Sequence, residues 1–563
     1  MANWKYRTRD PKLAEAIALE MDKPLLFGDF IVGRGIMDAA SAKTFIEASL
    51  TALPDPFSMP GMRNAVDLLV EAKERGAVVG ISGDYDVDGL TATALLVRVL
   101  GALGFKVTHR IPHRLDEGYG LSEQAVREIH AGGASYLITV DSGVSDSGAV
   151  QLATDLGLKV IITDHHHLPP SLPEAAAIIN PHLGGGFEET PLAGVGVAFM
   201  LAWGLRNALN EVKAELNLVE HLALVALGTV ADLAPLQGAN RAMVYHGLKF
   251  LNVTKWPGLV ALKRVLKMDG QNRVSAKDVG FKMAPRLNAA GRMGSPQPAL
   301  DILLTNSPVA GARLADELEN INKFRFESQA NLLEDALELM EHECPPDSRT
   351  VVLCKEGWQK GVLGLAASRV VEKFGKPTIL MTIKGDQATG SGRTVGNFDL
   401  FAALSKVRHL CVSMGGHSAA AGLTVAVDRL EEFKAGFEKA TSEQGDDWGQ
   451  NDLQVDLVAE LPDLQPLSPH LAELEPFGVG HPAPVVAIMG LTILQALSAK
   501  GGRLDLRLSD GLNRLNVSGY NLAPRLEEVG PKMDVVLTYD PESNYNGHHW
   551  RLIDFRRPLD AAQ

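Results

Sequence analysis

The segment Gly83-Asp84-Tyr85-Asp86-Val87-Asp88-Gly89 sets three carboxylates on alternate positions directly after the apolar run Ala77–Ser82. Three acids held this close repel one another, and a hard divalent cation is the simplest group that relieves the repulsion. The same D-x-D-x-D-G spacing opens an EF-hand loop. That loop needs Glu at its twelfth position, where this chain has Leu95, and it lies between helices rather than after a strand. Two further apolar runs end in similar chemistry: Ile138-Thr139-Val140 leads into Asp141-Ser142-Gly143, and Val160–Thr163 leads into Asp164-His165-His166-His167. Neutral imidazole suits manganese, zinc or iron, whereas magnesium and calcium prefer oxygen. A mixed Asp/His set therefore points to manganese or a similar metal, with magnesium at an oxygen-richer position. A further acid, Asp232, interrupts the apolar run Leu222–Leu236. A carboxylate there must bind metal, find a Lys or Arg partner, or bear the cost of burial.

Asp84, Asp86, Asp88, Asp141, His165 and Asp232 could together fill two adjacent metal positions. Two cations ~3.5–4 Å apart suit in-line displacement at phosphorus. Rival chemistries have no motif here: there is no G-x-x-x-x-G-K-[ST], no G-x-S-x-G and no H-E-x-x-H. Gly194-Val195-Gly196 is too short for a dinucleotide fingerprint and reads as close helix–sheet packing. The chemistry indicated is that of a metal-dependent phosphodiesterase.

To act together these residues must be brought to one place. Short apolar runs at Ala77–Ser82, Tyr136–Val140, Val160–Thr163 and Ala176–Ile179 alternate with helical stretches at Thr91–Leu103 and Ser122–Ala131. Such alternation predicts a parallel, doubly wound sheet, whose ligands bind beyond the carboxyl ends of the strands. Residues 1–45 read as a helical lead-in. Pro308 to Glu343 reads as one long amphipathic helix, with Leu314, Leu318, Ile321, Leu332, Leu333, Ala336, Leu337 and Met340 at roughly helical spacing. Cys344-Pro345-Pro346-Asp347 ends it, because proline cannot continue a helix. A second α/β pattern runs from Val351 to about Ala440. The acidic stretch Ser442–Asp452 reads as a linker, and alternating runs beyond it predict a small β-barrel. Domains are therefore expected at 1–45, 46–307, 308–347 (the connecting helix), 348–445 and 446–563.

The chain's 563 residues are 46% hydrophobic and 22% charged, an ordinary globular balance with material for several cores. The N-terminus, MANWKYRTRD, has early charges and no apolar stretch, so it does not read as a signal peptide. The longest apolar run, near Val195–Leu205, falls short of the ~20 residues of a membrane span. Cys344, Cys354 and Cys411 are scattered without C-x-x-C spacing and suggest neither a disulfide framework nor a zinc knuckle. A soluble, cytoplasmic protein is expected. Its net charge of −14 argues against a surface coated for nucleic acid. Against that, Leu262–Arg292 gathers Lys263, Arg264, Lys267, Arg273, Lys277, Lys282, Arg286 and Arg292 with only Asp269 and Asp278 opposing them. A solvated helix face is the plain reading of that run, and a track for a polynucleotide is the functional one.

GDYDVDG, VDSG, TDHHH and GTVADLAPL, in this order, resemble the four motifs of the DHH phosphoesterase superfamily. Within it, Ile111–Leu121 (IPHRLDEGYGL), Leu192–Phe199 (LAGVGVAF), Pro285–Met293 (PRLNAAGRM), Gly390–Arg393 (GSGR) and Gly415–Gly422 (GGHSAAAG) resemble the RecJ exonucleases. Leu474–Pro484 (LEPFGVGHPAP) is similar to the segment entering that family's OB-fold. The resemblance spans about Phe45 to Arg557. It implies an α/β fold: a parallel-sheet DHH domain joined by the long helix to a smaller DHHA1 domain, then an OB-like β-barrel. It implies a single-strand-specific 5′→3′ DNA exonuclease that releases 5′-mononucleotides with Mn²⁺ or Mg²⁺ at a two-metal site, in DNA repair and recombination.

By the same resemblance Asp84, Asp86, Asp88, Asp141, His165 and Asp232 are metal ligands, and Asp86, Asp141 and His166 are the catalytic residues, with His166 meeting the scissile phosphate as an acid. Arg114, Arg292, Ser391 and Arg393 bind DNA phosphates, a 5′-terminal one among them, through the bidentate geometry that suits Arg. Gly415, Gly416 and His417 face the cleft. Single-stranded DNA is the implied partner of a monomer, beside a single-strand-binding protein and a helicase. Gln359, Thr394 and His481 depart from the family's usual His, Ser and Asn. In the barrel Tyr520, Tyr539, Tyr545 and Trp550 could stack bases, with core packing the plainer role. Other DHH relatives cleave nanoRNA or cyclic dinucleotides, and one relic is a replication scaffold. An OB-like module favours a longer strand, and retention of every acid and of both leading His favours an enzyme.

Overall fold

The structure, a computed structural model, describes residues 3–114, 116–209, 216–270, 273–345, 347–445, 448, 452–542 and 548–558. It divides into two compact units. The larger comprises Leu53–Pro235 and Ala242–Gly449. Its five-stranded sheet runs Lys106–Arg110, Val78–Gly83, Ala134–Val140, Lys159–Thr163, Ala177–Ile179, all parallel. The strands are near-continuous apolar runs because both faces are covered; Val79, Ile81, Leu137, Ile138 and Ile161 are fully buried. From the strand Val78–Gly83 the chain first moves outward to Lys106–Arg110 and then crosses back to Ala134–Val140. That reversal opens a crevice at the carboxyl ends of Val78–Gly83 and Ala134–Val140, where open sheets of this kind bind ligands. Asp84 and Asp141 stand at those two ends.

The helix expected from Thr91 begins earlier and spans Val87–Ala102. Asp86 caps it, accepting from the N–H groups of Asp88 (3.0 Å) and Gly89 (3.2 Å), so the acidic motif itself forms the first turn. The connecting helix runs Pro308–Glu343, roughly 54 Å long at 1.5 Å per residue. Ser307 caps its start, Pro308 occupies the first turn, and it stops before Pro345. Leu314, Leu318, Leu332 and Ala336 are buried along it, whereas Ile321, Leu333 and Met340 are only partly covered. Beyond it lies a second five-stranded sheet in the order Cys411–His417, Ala420–Ala426, Gln387–Arg393, Thr378–Lys384, Val351–Glu356. Only its last pair is parallel.

The smaller unit comprises Met1–Ala52, Leu236–Arg241 and Gln450–Gln563. The long strand Val485–Ala499 bends at Gly490 (φ 67°) and shifts register between Ile488 and Leu491. It thereby pairs with Lys532–Tyr539 along its first half and with Arg503–Ser509 along its second. The ends of the strand order approach each other: a Cβ on Gly519 would sit 2.9 Å from the Leu552 carbonyl oxygen, so the sheet curls into a barrel. Residues 1–45 are more than a helical lead-in. Asn3–Tyr6 is a strand that pairs in parallel with Asp452–Val455. The helices Pro11–Met21 and Leu25–Gly33 bury Ile17, Phe27, Phe30 and Ile31 in one core with Leu464, Leu471, Val486, Trp550 and Phe555. The barrel is therefore not separable at the acidic linker alone, because cutting there strips the apolar faces of the first two helices.

Asp456 ties this unit together. It is buried and accepts from Arg7 Nε (2.7 Å), from Arg34 Nε and Nη2 (2.7 Å each) and from the Val485 N–H (2.9 Å). His481 is likewise a core residue, with its ring 4.8 Å from Phe45 and 5.2 Å from Phe477. Its Nε2 donates to the Leu474 carbonyl at 3.0 Å, so this departure from the family pattern is a packing substitution. Tyr539 and Trp550 are buried in the core, Tyr520 is exposed, and Tyr545 lies outside the described residues. Among the described residues no helix is long and apolar enough to cross a membrane. Asp456→Ala leaves two guanidinium groups without their shared partner, and a cost of about 3–5 kcal/mol is expected. Chemical denaturation followed by tryptophan fluorescence checks this, since Trp4 and Trp550 report on the unit.

Candidate metal centre and anion pocket

Five of the acids converge with His165 in the crevice. Asp84 and Asp141 follow their strands, Asp86 and Asp88 open the helix Val87–Ala102, and Asp232 caps the end of the helix Leu222–Ala231. Three groups have ligand atoms within 4.8 Å of one another: Asp84, Asp86 and Asp141; Asp88, His165 and Asp232; and Asp141, His165 and His166. Asp141 belongs to two of these groups and His165 to two, which is the arrangement of two neighbouring positions sharing ligands. His165 Nε2 lies 3.0 Å from Asp141 Oδ1 and 3.8 Å from Oδ2 of both Asp88 and Asp232.

The donor set fits a divalent cation. Asp84 Oδ1, Asp141 Oδ1 and His165 Nε2 are buried and make no hydrogen bond. A buried polar atom left this way carries its full desolvation cost, which a cation shared with the neighbouring carboxylates would offset. Two adjacent ligands on a six-coordinate metal at 2.0–2.1 Å are roughly 3 Å apart, which is the Asp141–His165 separation.

Without a cation the acids suppress one another's ionisation. Burial and the neighbouring Asp86 hold Asp84 well above the ordinary carboxylate range. Burial, then Asp232 and Asp86, do the same for Asp88, and burial, then Asp88, for Asp141. Asp232 is pushed up to about 7 by burial and by Asp86. Burial and the adjacent His166 lower His165 to about 4, so its imidazole is neutral and ready to ligate at neutral pH.

Several supporting residues have roles that the sequence pattern does not show, among them Gly194 and Val195, whose spacing reads only as close helix–sheet packing. Asp88 accepts from the N–H groups of Gly194 (2.6 Å) and Val195 (2.9 Å) at the start of the helix Gly194–Ala208. Gly194 is there for close approach: a Cβ would sit 2.7 Å from Asp141 Oδ1. Gly228 serves Asp88 in the same way, with its Cβ position 2.6 Å from Oδ1. Asp141 itself adopts φ 59°, a left-handed conformation that costs a non-glycine residue about 1–2 kcal/mol. Its N–H donates to the Thr163 carbonyl (2.9 Å), and its own carbonyl accepts from the Tyr119 hydroxyl (3.1 Å), which hold the strained turn.

His166 is paired differently from His165. Its Nδ1 lies 2.8 Å from Asp164 Oδ1 and 2.8 Å from the Tyr119 hydroxyl, and its carbonyl accepts from Asn180 Nδ2 at 2.9 Å. Burial opposes ionisation of both partners, but their hydrogen bond outweighs it: Asp164 is lowered and His166 is raised. The result is an Asp–His dyad able to hold a proton beside a neutral ligand imidazole. The ring contact of Tyr119 with His166, at 5.1 Å between centroids, was hidden inside the motif IPHRLDEGYGL.

A second feature of the same unit is a cavity of about 150 Å³ lined by Arg114, Arg292, Lys360, Gly364, Ser391 and Arg393 among others. Arg393 Nη1 donates to Ser391 Oγ (2.8 Å) and to the Gly392 carbonyl (2.7 Å). Burial, then Arg114 and Arg393, lower Arg292 to about 9. Burial and Arg114 lower Arg393. No carboxylate is among the described lining residues, so the cavity collects like charges and suits an anion. It also sits at the amino end of the helix Leu363–Phe374, where the helix dipole favours negative charge. Gly364 makes room for the guanidinium, since a Cβ there would lie 2.3 Å from Arg393 Nη2.

The other expected contacts fall elsewhere. His417 is exposed at the end of the strand Cys411–His417, accepts from the Ala419 N–H at 3.2 Å, and does not line the cavity. Thr394 donates to the Phe398 carbonyl, so its hydroxyl is engaged locally. Gln359 caps the short turn Lys360–Val362 that leads into the cavity wall. Part of the basic stretch is engaged within the fold. Lys263 donates to the Leu251 and Asn252 carbonyls, Lys282 pairs with Asp278, and Arg286 pairs with Glu319 at 2.6 Å. Of those eight residues only Arg292 lines the cavity.

Residues 78–229 match the DHH family, N-terminal domain, residues 347–443 match the DHHA1 domain, and residues 454–551 match the RecJ OB domain. The single-stranded-DNA-specific exonuclease RecJ of Escherichia coli (strain K12) is 35% identical over 505 residues, covering 85% of this chain and 86% of the relative. The chain belongs to the RecJ family. Its Bacillus subtilis (strain 168) relative of the same name is 34% identical over 541 residues, covering 94% of this chain and 67% of the relative. The RecJ structure from Thermus thermophilus in complex with Mn²⁺ is 29% identical and covers 99% of this chain and 80% of that one, with a TM-score of 0.84. The corresponding RecJ complex with Mg²⁺ gives a TM-score of 0.78. The parallel-sheet domain, the DHHA1 domain and the C-terminal OB domain described above are thus the RecJ family's architecture.

Two outcomes follow from the acids. Asp141→Ala or His165→Ala is expected to abolish metal-dependent hydrolysis while the far-UV circular dichroism stays native; near-normal turnover by Asp141→Ala sinks the ligand assignment. The second outcome concerns pH. Folded acids with raised pKa values bind protons that the unfolded chain releases near pH 4, so the metal-free stability that they contribute falls as pH rises from about 4 through about 7. In EDTA the Tm is expected to be lower at pH 8 than at pH 6, and added Mn²⁺ to raise it more at pH 8. Equal Mn²⁺ shifts at both pH values count against proton–metal competition at this site.

Proposed function

We propose that this chain is a single-strand-specific 5′→3′ DNA exonuclease that releases 5′-mononucleotides in DNA repair and recombination, using two divalent cations, Mn²⁺ or Mg²⁺. The observation that carries the proposal is the pairing, within one unit, of an acidic metal centre with an arginine-lined anion cavity. In this reading Arg114, Arg292, Ser391 and Arg393 dock the 5′-terminal phosphate, and the next phosphodiester along the strand meets Asp84, Asp86, Asp88, Asp141, His165 and Asp232. Cations bound by those six residues supply Lewis acidity to phosphoryl transfer. Water adds to phosphorus as the bond to the 3′ oxygen breaks, leaving its oxygen on the new 5′-phosphate; Asp164 holds His166 at Nδ1, and the protonated His166 donates its proton to the departing 3′ oxygen. Each cut leaves a new 5′-phosphate on the remaining strand, so the same cavity serves every round. That chemistry accounts for polarity without any reading of base sequence.

The names of the relatives support DNA and single-strandedness, and the RecJ OB domain supports an extended strand rather than a dinucleotide. Cytoplasmic action as a monomer, on strands opened by a helicase and coated by single-strand-binding protein, belongs to the same proposal. The test is degradation of a 5′-tailed hairpin, a blunt duplex, nanoRNA and cyclic di-AMP, with wild type and Arg393→Ala at two salt concentrations. The tail is expected to be digested to the junction and the duplex spared. Loss of charge-assisted contacts in Arg393→Ala is expected to cost roughly 10- to 100-fold on 5′-phosphorylated ends and far less on 5′-hydroxyl ends. Binding is expected to weaken with salt at a slope near −0.7 per phosphate contact. Equal rates on duplex and single strand, or faster turnover of cyclic di-AMP, overturn the assignment.

A further inference from the structure

One side chain joins the anion cavity to the metal acids, and neither role uses it. Tyr85 stands between Asp84 and Asp86 in the chain and is half-buried. The Arg114 guanidinium lies over its ring, 4.7 Å from the centroid. Its backbone meets Gly291, where an added Cβ would lie 3.2 Å from the Tyr85 carbonyl oxygen and 3.7 Å from its Cβ. Gly291 immediately precedes Arg292. Tyr85 thus touches one cavity arginine directly and the segment bearing a second, while both its chain neighbours are acids of the metal centre.

The type of contact matters. A carboxylate would also hold Arg114, but it would cancel the charge that a phosphate needs. An aromatic face attracts the guanidinium and leaves its N–H edge free to meet the ligand.

We propose that Tyr85 is a positioning residue that sets the spacing between a docked terminal phosphate and the metal acids, and so fixes the length of product released. This rests on the exonuclease reading above. The bond cut is whichever phosphodiester reaches the acids while the end is docked. With Arg114 stacked on Tyr85 the end is held at one distance. With Arg114 free to swing, the strand advances by a further nucleotide before cleavage.

The experiment compares the full-length wild type, Tyr85→Phe and Tyr85→Leu on single strands with 5′-phosphate or 5′-hydroxyl ends, with products sized by mass spectrometry and the Mn²⁺-induced Tm shift recorded alongside. Tyr85→Phe is expected to match wild type, since the ring and not the hydroxyl holds Arg114. Tyr85→Leu is expected to lose roughly 2- to 30-fold of the preference for 5′-phosphate, to release dinucleotides beside mononucleotides, and to keep its Mn²⁺ shift. Unchanged products and preference in Tyr85→Leu overturn the proposal. So does a lost Mn²⁺ shift, which would make Tyr85 a support for the acids alone, or a Tyr85→Phe that behaves as Tyr85→Leu. If Tyr85→Leu does not fold, Arg114→Lys removes the planar stack while keeping the charge, and the same product change is expected. A wild type indifferent to the 5′ group instead overturns the cavity's assignment as a phosphate site.

Discussion

The larger unit is organised around a repulsion. Asp84, Asp86, Asp88, Asp141 and Asp232 are gathered where water cannot separate their charges, and most of them are driven toward the neutral form. Holding them there takes much of the surrounding structure: a strand reversal in the sheet, a helix start aimed at Asp88, glycines at 194 and 228, and a left-handed residue at 141. Each is a local cost that the fold tolerates because the assembled set attracts a cation. The protein is built to be completed by its metal.

The anion cavity applies the same design with opposite sign. Three guanidinium groups share a small space, and burial first, then the neighbouring guanidinium groups, weaken the hold of Arg292 and Arg393 on their protons. A strongly acidic and a strongly basic cluster in one unit also explain how a chain with net charge −14 can handle a polyanion. The overall charge describes the outer surface, whereas binding depends on the few groups that face the ligand.

Asp84, Asp86, Asp88 and Asp141 were legible in the sequence because they follow apolar runs, and the end of a buried parallel strand is a place that one-dimensional pattern marks well; Asp232 stood out by interrupting such a run. The same holds for the long helix, with Ser307 and Pro308 at one end and Pro345 at the other. What supports the acids was not legible. The N–H groups that cradle Asp88 come from Gly194 and Val195, over a hundred residues along the chain, and Tyr119 reaches His166 through tertiary folding alone. The partners of the basic stretch were hidden for a related reason: Arg286 finds Glu319 on another helix. The opening strand left no local sign at all: Asn3–Tyr6 has four residues and a partner strand 449 positions away.

That last pairing also bears on how the chain is made. Synthesis runs from the amino end at about 5–20 residues per second, and domains fold as they emerge. Phe27, Phe30 and Ile31 appear at the beginning, yet the strands that cover them, ending in Trp550–Arg556, appear at the end. The larger unit, Leu53–Gly449 apart from a six-residue insertion, can fold in between. A chain that stops short of Trp550–Arg556 therefore leaves Phe27, Phe30 and Ile31 without part of the core that covers them.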